Sequence, residues 1–163
     1  MRLWSLETVL KVEQDPTFQE ALAQAQRRRE GGRKGALRRR ELTLELAREL
    51  PLEIERIPPD ELLQLVQEDY WAYEGKRVEF KPWGNPDPLR DRLCVNYLRH
   101  QATDYDLHLE ILEGRTGTAE AYLVLWERIT RAIEEAYPEL RAEARRQYRE
   151  RKQRVMARKK TSH

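Results

Sequence analysis

The sequence LRDRLCVNYLRHQATDYDLHLEILEGRTGTAEAYLVLWERITRAIEEA, residues 89–136, carries the strongest signal for a particular fold. Apolar residues recur at spacings of three and four along 95–112 and again along 122–136, the pattern of two helix faces. A short turn at 114–117 separates them, and Thr118 can cap the second helix. Two such helices predict an antiparallel helical hairpin over about 89–113 and 118–136. We expect this hairpin to form the centre of the core, with Trp126 against Tyr105.

Helix signals also occur before this stretch. Ser5 predicts a short helix to about Glu13, and Asp15-Pro16 predicts the start of another, with Asp as the N-cap and Pro at the first position. Gly31-Gly32 is expected to end that helix. A further helix is predicted over about 34–50, ending before Pro51, and one more is predicted to open at Pro59.

These signals predict an all-α or nearly all-α fold, a small helical bundle centred on the hairpin. Residues 52–57 and 77–81 partly alternate apolar and polar side chains, which allows a minor two-stranded β element. Residues 1–140 are expected to form a single mostly helical domain. The segment 139–160 has helical composition but almost no apolar face, and its last candidate core contacts are Leu140, Ala144 and Tyr148. Residues 141–163 therefore predict a basic C-terminal helical arm.

Charge is unevenly distributed along the chain. The formal net charge is +2 at pH 7, but residues 27–40 carry +7 and residues 141–163 carry +8, whereas residues 41–140 carry −11. Planar guanidinium groups suit phosphate backbones, because each donates two parallel hydrogen bonds. Such a basic segment could equally dock on an acidic protein or remain solvated.

The basic segments predict a non-enzymatic nucleic-acid-associated protein that binds phosphate backbones. The first alternative is a protein-interaction or assembly subunit whose basic arm docks on an acidic partner, and the second is a small metal-dependent enzyme. Contacts to the backbone are expected to dominate, because no base-reading motif is visible. The predicted contact residues are Arg27, Arg28, Arg29, Arg33, Lys34, Arg38, Arg39, Arg40, Arg145, Arg146, Arg149, Arg151, Lys152 and Arg154.

Other reactive side chains give weaker signals. On one continuous helix His100, Asp104 and His108 would share a face, but the first and last would lie about 12 Å apart, too far for one metal ion. We interpret them as polar-face residues and Cys94 as a small buried hydrophobe. Aromatic residues along 70–83 are interpreted as the edge of the core rather than a base-stacking surface. No catalytic residue, metal ligand or cofactor is predicted.

The expected location is the cytoplasm, and no membrane association is expected. Cys94 is the only cysteine, so no internal disulfide can form, which favours a reducing compartment. The N-terminal residues carry a charge within their apolar stretch and do not resemble a signal peptide. The longest apolar run covers 121–126, far short of a membrane span.

Overall fold

The computed structural model describes residues 14–161, which form six α-helices and one short 3-10 helix. The α-helices are α1 (Pro16–Glu49), α2 (Pro59–Glu74), α3 (Pro88–Gln101), α4 (Tyr105–Leu112), α5 (Thr118–Ala136) and α6 (Arg141–Thr161). The 3-10 helix, Pro138–Leu140, lies between α5 and α6. The all-α class is therefore confirmed. The helix predicted from Ser5 lies outside the described residues.

Local sequence signals set three of the helix starts. Proline occupies the first position of α1, α2 and α3, where its missing N–H has no helical partner to lose. Asp15 caps α1 by accepting from the Thr17 N–H at 2.8 Å, and Asp87 caps α3 by accepting from the Arg90 N–H at 3.1 Å. These starts were predictable because each depends on neighbouring residues only.

The core surrounds α5, which packs against α1, α4 and α6. Ala121, Leu125, Ile129 and Ile133 are spaced along one face of α5 and are at most 1% exposed. The opposing helices contribute further fully buried side chains: Ala47, Leu62, Cys94, Val95, Leu98, Leu112 and Leu140. The α5 helix therefore lies at the centre of the core, with neighbours on several sides.

The prediction of one continuous helix over 89–113 is wrong, because residues 102–104 separate α3 from α4. The Thr103 hydroxyl donates to the Arg99 carbonyl and accepts from the Tyr105 N–H, so a side chain replaces part of the backbone ladder. The Ala102 carbonyl accepts instead from the Glu55 N–H at 2.9 Å. A distant segment thus satisfies a group that the break leaves without a helical partner. The simple two-helix hairpin is therefore not confirmed.

Gly31-Gly32 does not end a helix as predicted, since α1 runs through both residues for 34 residues, or about 51 Å. The buried residues of α1 are Thr43 and Ala47, both in its second half. Residues 16–34 are exposed apart from partly covered Ala23. Neither glycine adopts the left-handed conformation that would end the helix.

Alanine at Gly31 or Gly32 is expected to stabilise this exposed part of α1. A Cβ atom at either position meets nothing within 4 Å, and the glycine penalty in a helix is about 1 kcal/mol relative to alanine. Hydrogen exchange of amides near residue 31 should slow roughly fivefold per substitution, with little change in global stability. Unchanged local exchange would contradict the prediction. Gly117→Ala is the opposing control, because Gly117 has φ 79° and its added Cβ would lie 2.7 Å from Arg40 Cγ.

The possible β element is not confirmed, because the described residues contain no strand. Residues 52–57 are extended but bond to helix ends and loops. The Ile57 N–H donates to the Tyr137 hydroxyl at 2.7 Å, and that hydroxyl donates to the Glu55 carbonyl at 3.1 Å. The Val78 carbonyl accepts from the Gln67 side chain at 3.1 Å. Alternation along these segments therefore reflects extended chain packed on helices.

The basic C-terminal segment forms α6, and the first half of this helix packs against α3 and α5. Ala144 and Gln147 are buried and Tyr148 is half-buried, whereas most residues beyond 150 are exposed. The division into a domain over 1–140 and a tail over 141–163 stays a prediction. The arginines in this packed first half of α6 therefore lie at defined positions beside α3 and α5.

Candidate functional site

The first basic segment lies along the exposed part of α1. Seven of its eight predicted contact residues are exposed, and Arg40 is half-buried. The exposed seven are Arg27, Arg28, Arg29, Arg33, Lys34, Arg38 and Arg39. From residue 27 to residue 40 the helix spans about 20 Å. This segment therefore displays its cations around a helix rather than on a coil.

The second basic segment lies on α6, and part of it is already paired within the chain. Arg145 bonds to Glu134 on α5, and this hydrogen bond raises the pKa of Arg145. Arg146 bonds to Glu143 and Glu150, and the bond to Glu143 raises its pKa. These two arginines are therefore less available to an external anion. Arg149, Lys152 and Arg154 are exposed and Arg151 is half-buried.

The two basic segments meet in one groove of about 840 Å³ between α1, α6 and the start of α5. We call it the interblock groove. Arg40 comes from the first segment, and four cations come from the second: Arg151, Arg154, Arg158 and Lys159. Glu120 is the one carboxylate in the lining. The groove lining therefore carries a net positive charge.

Glu120 pairs with one cation on each of two walls of the interblock groove. Its Oε1 atom accepts from Arg40 and lies 2.6 Å from the Lys159 ammonium. Partial burial opposes ionisation, but the hydrogen bond from Lys159 and the charge of Arg40 lower the pKa of Glu120 overall. An ionised Glu120 thus positions one cation on each wall.

Gly117 allows the close approach of α1 to the start of α5. It caps α5 in a left-handed conformation, φ 79°, and the Arg40 side chain passes where its Cβ would be. The sequence indicated a turn here but no link to Arg40. Nothing in the local pattern reveals that the first basic segment crosses this turn.

The aromatic stretch divides between core and surface. Phe80 and Trp83 pack against the core, as predicted, but Trp71 is 50% exposed and Tyr73 is 88% exposed. The core-edge interpretation is therefore wrong for those two residues. Arg77 covers the Trp71 ring, with its guanidinium carbon 4.7 Å from the ring centroid. These aromatic residues do not line the interblock groove.

Trp126 contacts Tyr105, as expected from the sequence. Its indole N–H donates to the Tyr105 hydroxyl, and the rings meet edge to face with centroids 6.3 Å apart. Its ring also lies beside two arginines, Arg99 at 3.7 Å and Arg151 at 5.4 Å from the centroid. Arg99 was not predicted as a site residue, because nothing in the local sequence indicates that this arginine is buried.

The two histidines of α3 and α4 lie in different surroundings. His100 is exposed and its Nδ1 lies 2.7 Å from Asp106, whereas His108 is 3% exposed. The polar-face interpretation of His108 is therefore wrong, because the break at 102–104 turns α4 relative to α3. Residues 14–161 hold no group of three His, Cys, Asp or Glu side chains that could bind a metal ion.

Cys94 is buried, as predicted. Burial raises the pKa of its thiol to about 12, so the reactive thiolate does not form near neutral pH.

The described helices include none with the length and apolar character needed to cross a bilayer.

The fold stability is expected to fall in mild acid because of His108. Burial lowers the pKa of this imidazole below 6.5, with the charge of Arg128 acting in the same direction. The unfolded chain therefore binds a proton more readily, and the free energy of unfolding should decrease as the pH falls below about 6.5. Urea unfolding at pH 7.5 and 5.5 measures this loss.

His108→Gln should reduce the pH-dependent loss, and His100→Gln is the matched control because His100 is exposed. An equal acid sensitivity in the parent protein and His108→Gln would contradict the assignment to His108.

The chain matches no protein-family model, no curated protein and no solved structure. Function must therefore be inferred from the chemistry of the site itself.

Proposed function

We infer that this protein is a non-enzymatic nucleic-acid-associated protein that holds phosphate backbones with its arginine-rich segments. One observation carries the proposal: Arg40 and the cations of α6 line the same groove although they come from segments far apart in the chain. If the two basic segments lay on opposite faces of the protein, solvation would explain them as well as ligand binding would. Their convergence favours a single polyanionic ligand.

The exposed cations of α1 offer further phosphate contacts outside the groove. Duplex DNA carries one charge per about 1.7 Å of axis, so the 20 Å of duplex beside this segment holds on the order of a dozen phosphates, of which α1 can contact those on the near side. Exposed guanidinium groups bind phosphate oxygens bidentately and release condensed counterions. Binding through such contacts positions the nucleic acid without reading its sequence. The proposal places the protein in a reducing compartment, the cytoplasm, because its lone cysteine is buried and unpaired.

A second candidate function is an assembly subunit that docks on an acidic protein. Four large apolar side chains on α1 favour it, because each is exposed: Phe18 (39%), Leu22 (42%), Leu37 (59%) and Leu42 (47%). Such residues suit a protein interface more than a phosphate backbone. The nucleic-acid proposal takes precedence because the groove is lined by five cations and one carboxylate.

Duplex DNA and RNA are expected to bind at low salt with affinity that falls steeply as salt rises. Arg40→Gln combined with Arg154→Gln should weaken all sequences alike and reduce the log–log salt slope by about 0.9 for each phosphate that is no longer neutralised. Fluorescence anisotropy over a salt series measures both quantities.

The matched control is Arg48→Gln combined with Arg131→Gln, which removes two exposed arginines outside both basic segments. It should leave the slope nearly unchanged. If the protein does not bind DNA or RNA at low salt but binds an acidic polypeptide through α6, the second candidate function replaces this proposal.

A further inference from the structure

Arg99 on α3 is buried without a directly bonded carboxylate. It is 4% exposed, and its guanidinium lies over the Trp126 ring. Its Nη2 donates to Gln147 Oε1 at 2.6 Å, and its Nη1 donates to Asn96 Oδ1 at 3.4 Å. Within residues 14–161 its Nε–H has no hydrogen-bond partner. A buried charged donor without an acceptor is costly, so a bound anion at this position would stabilise the protein.

A small cavity opens beside Arg99 between α3, α5 and α6. Its volume is about 270 Å³, and Trp126, Asn96 and Gln147 form part of its wall. We call it the arginine pocket. Five of its lining residues are arginines and one is an acid: Arg92, Arg99, Arg146, Arg151, Arg154 and Glu150. Glu150 and Glu143, which lies behind the lining, both bond to Arg146, so the five arginines keep an excess of positive charge over these two acids.

We propose that the arginine pocket binds a phosphate monoester dianion, with Arg99 as its buried anchor and Arg151 and Arg154 closing over the anion. The ligand chemistry follows from the lining. A dianion neutralises more of the excess positive charge than a carboxylate does, and its several oxygens suit forked donors that converge from two helices. The volume lies below the roughly 300 Å³ of typical small-molecule sites, which suits one phosphoryl group rather than a whole nucleotide.

The electrostatics of Arg99 agree with this assignment. Burial lowers its pKa to about 10, and the neighbouring charge of Arg151 acts in the same direction. Arg99 therefore remains protonated at neutral pH in a site with excess positive potential. Gln147 connects Arg99 to Glu143 by a 2.9 Å hydrogen bond, so this acid reaches Arg99 through an amide, and the buried Nε–H keeps no acceptor within residues 14–161.

The pocket goes beyond the proposed backbone binding, because it is a discrete site for one anion beside the interblock groove. Arg151 and Arg154 line both. The same chemistry is offered by a free small phosphate monoester and by the 5′ phosphate of a nucleic acid.

Calorimetric titration of the full chain with inorganic phosphate tests the site, with acetate at matched ionic strength for comparison. Phosphate should bind and acetate should not. Arg151→Gln should weaken phosphate binding on the order of tenfold, as expected for a lost charged hydrogen bond. Lys152→Gln is the matched control, because this neighbouring cation is exposed and lies outside the lining.

Glu150→Gln gives the opposite and more diagnostic result. It removes the only carboxylate of the lining and the acceptor of Arg146 Nη1, so phosphate should bind several-fold more tightly. A purely structural arginine network would not gain affinity. The Arg99 Nε–H resonance, followed by NMR in the parent protein, should shift on phosphate addition, which avoids any variant that fails to fold.

The two sources are separated by comparing oligonucleotides with and without a 5′ phosphate, alongside a small sugar phosphate. Tighter binding of the 5′-phosphorylated oligonucleotide identifies a nucleic-acid terminus as the source. Equal binding of the two oligonucleotides, together with binding of the sugar phosphate, identifies a free metabolite.

The inference is overturned if phosphate binds no better than acetate, or if Arg151→Gln and Lys152→Gln weaken it equally. Duplex binding that survives this outcome would leave the proposed function intact. Phosphate binding without duplex binding would overturn the proposed function but not the assignment of the arginine pocket.

Discussion

Replacing Arg90 with methionine is expected to lower the free energy of unfolding by about 3–5 kcal/mol. Arg90 is 3% exposed, and its guanidinium donates to three backbone carbonyls of the loop before α3. The acceptors are Lys81 O at 2.7 Å, Pro82 O at 2.9 Å and Asn85 O at 3.0 Å. Methionine retains much of the aliphatic stem but leaves these carbonyls unpaired, at about 1–3 kcal/mol each where they stay dry.

The loop from 81 to 87 should lose its order together with that stability. Arg90 also lies over the Trp83 ring, 4.7 Å from its centroid, and its Nε donates to Asp91 at 2.9 Å. Urea unfolding measures the energy, and hydrogen exchange at Lys81, whose N–H donates to Asp87 Oδ2 at 2.9 Å, reports on the loop.

Arg92→Met is the matched control for Arg90→Met. It makes the same substitution two residues along α3 at an exposed side chain and should change stability by about 0.5 kcal/mol or less. A loss below about 1 kcal/mol in Arg90→Met would show that the loop does not depend on this guanidinium.

Leu98→Ala should cost about 2–5 kcal/mol, because Leu98 is fully buried in the core that α3 shares with α5 and α6. The loss combines the transfer energy of the side chain with the cavity left behind. For a chain of this size each kcal/mol lowers the melting temperature by roughly 2–4 °C.

The control for the core is Leu107→Ala on α4, where the side chain is 54% exposed. This substitution should change stability by about 0.5 kcal/mol or less. Equal losses in the two variants would mean that Leu98 does not occupy the centre of the core.

Features that depend on neighbouring residues could be predicted from the amino-acid sequence. Pro16, Pro59 and Pro88 set the starts of α1, α2 and α3, because proline is preorganised at the first helical position. The apolar face of α5 and the burial of Cys94 were also predictable, since a periodic pattern must be covered by something. The segregation of charge into two basic segments is visible in the same way.

Packing between distant segments sets the positions of the arginines, which local patterns do not predict. At the break at 102–104 the local bonds of Thr103 act together with a hydrogen bond from Glu55, which lies far away in sequence. The interblock groove depends on Arg40 passing Gly117, and the arginine pocket depends on Arg99 meeting Gln147 of α6. Periodicity specifies which face of a helix is buried but not which distant side chains meet it, because those contacts are made only when the helices pack together.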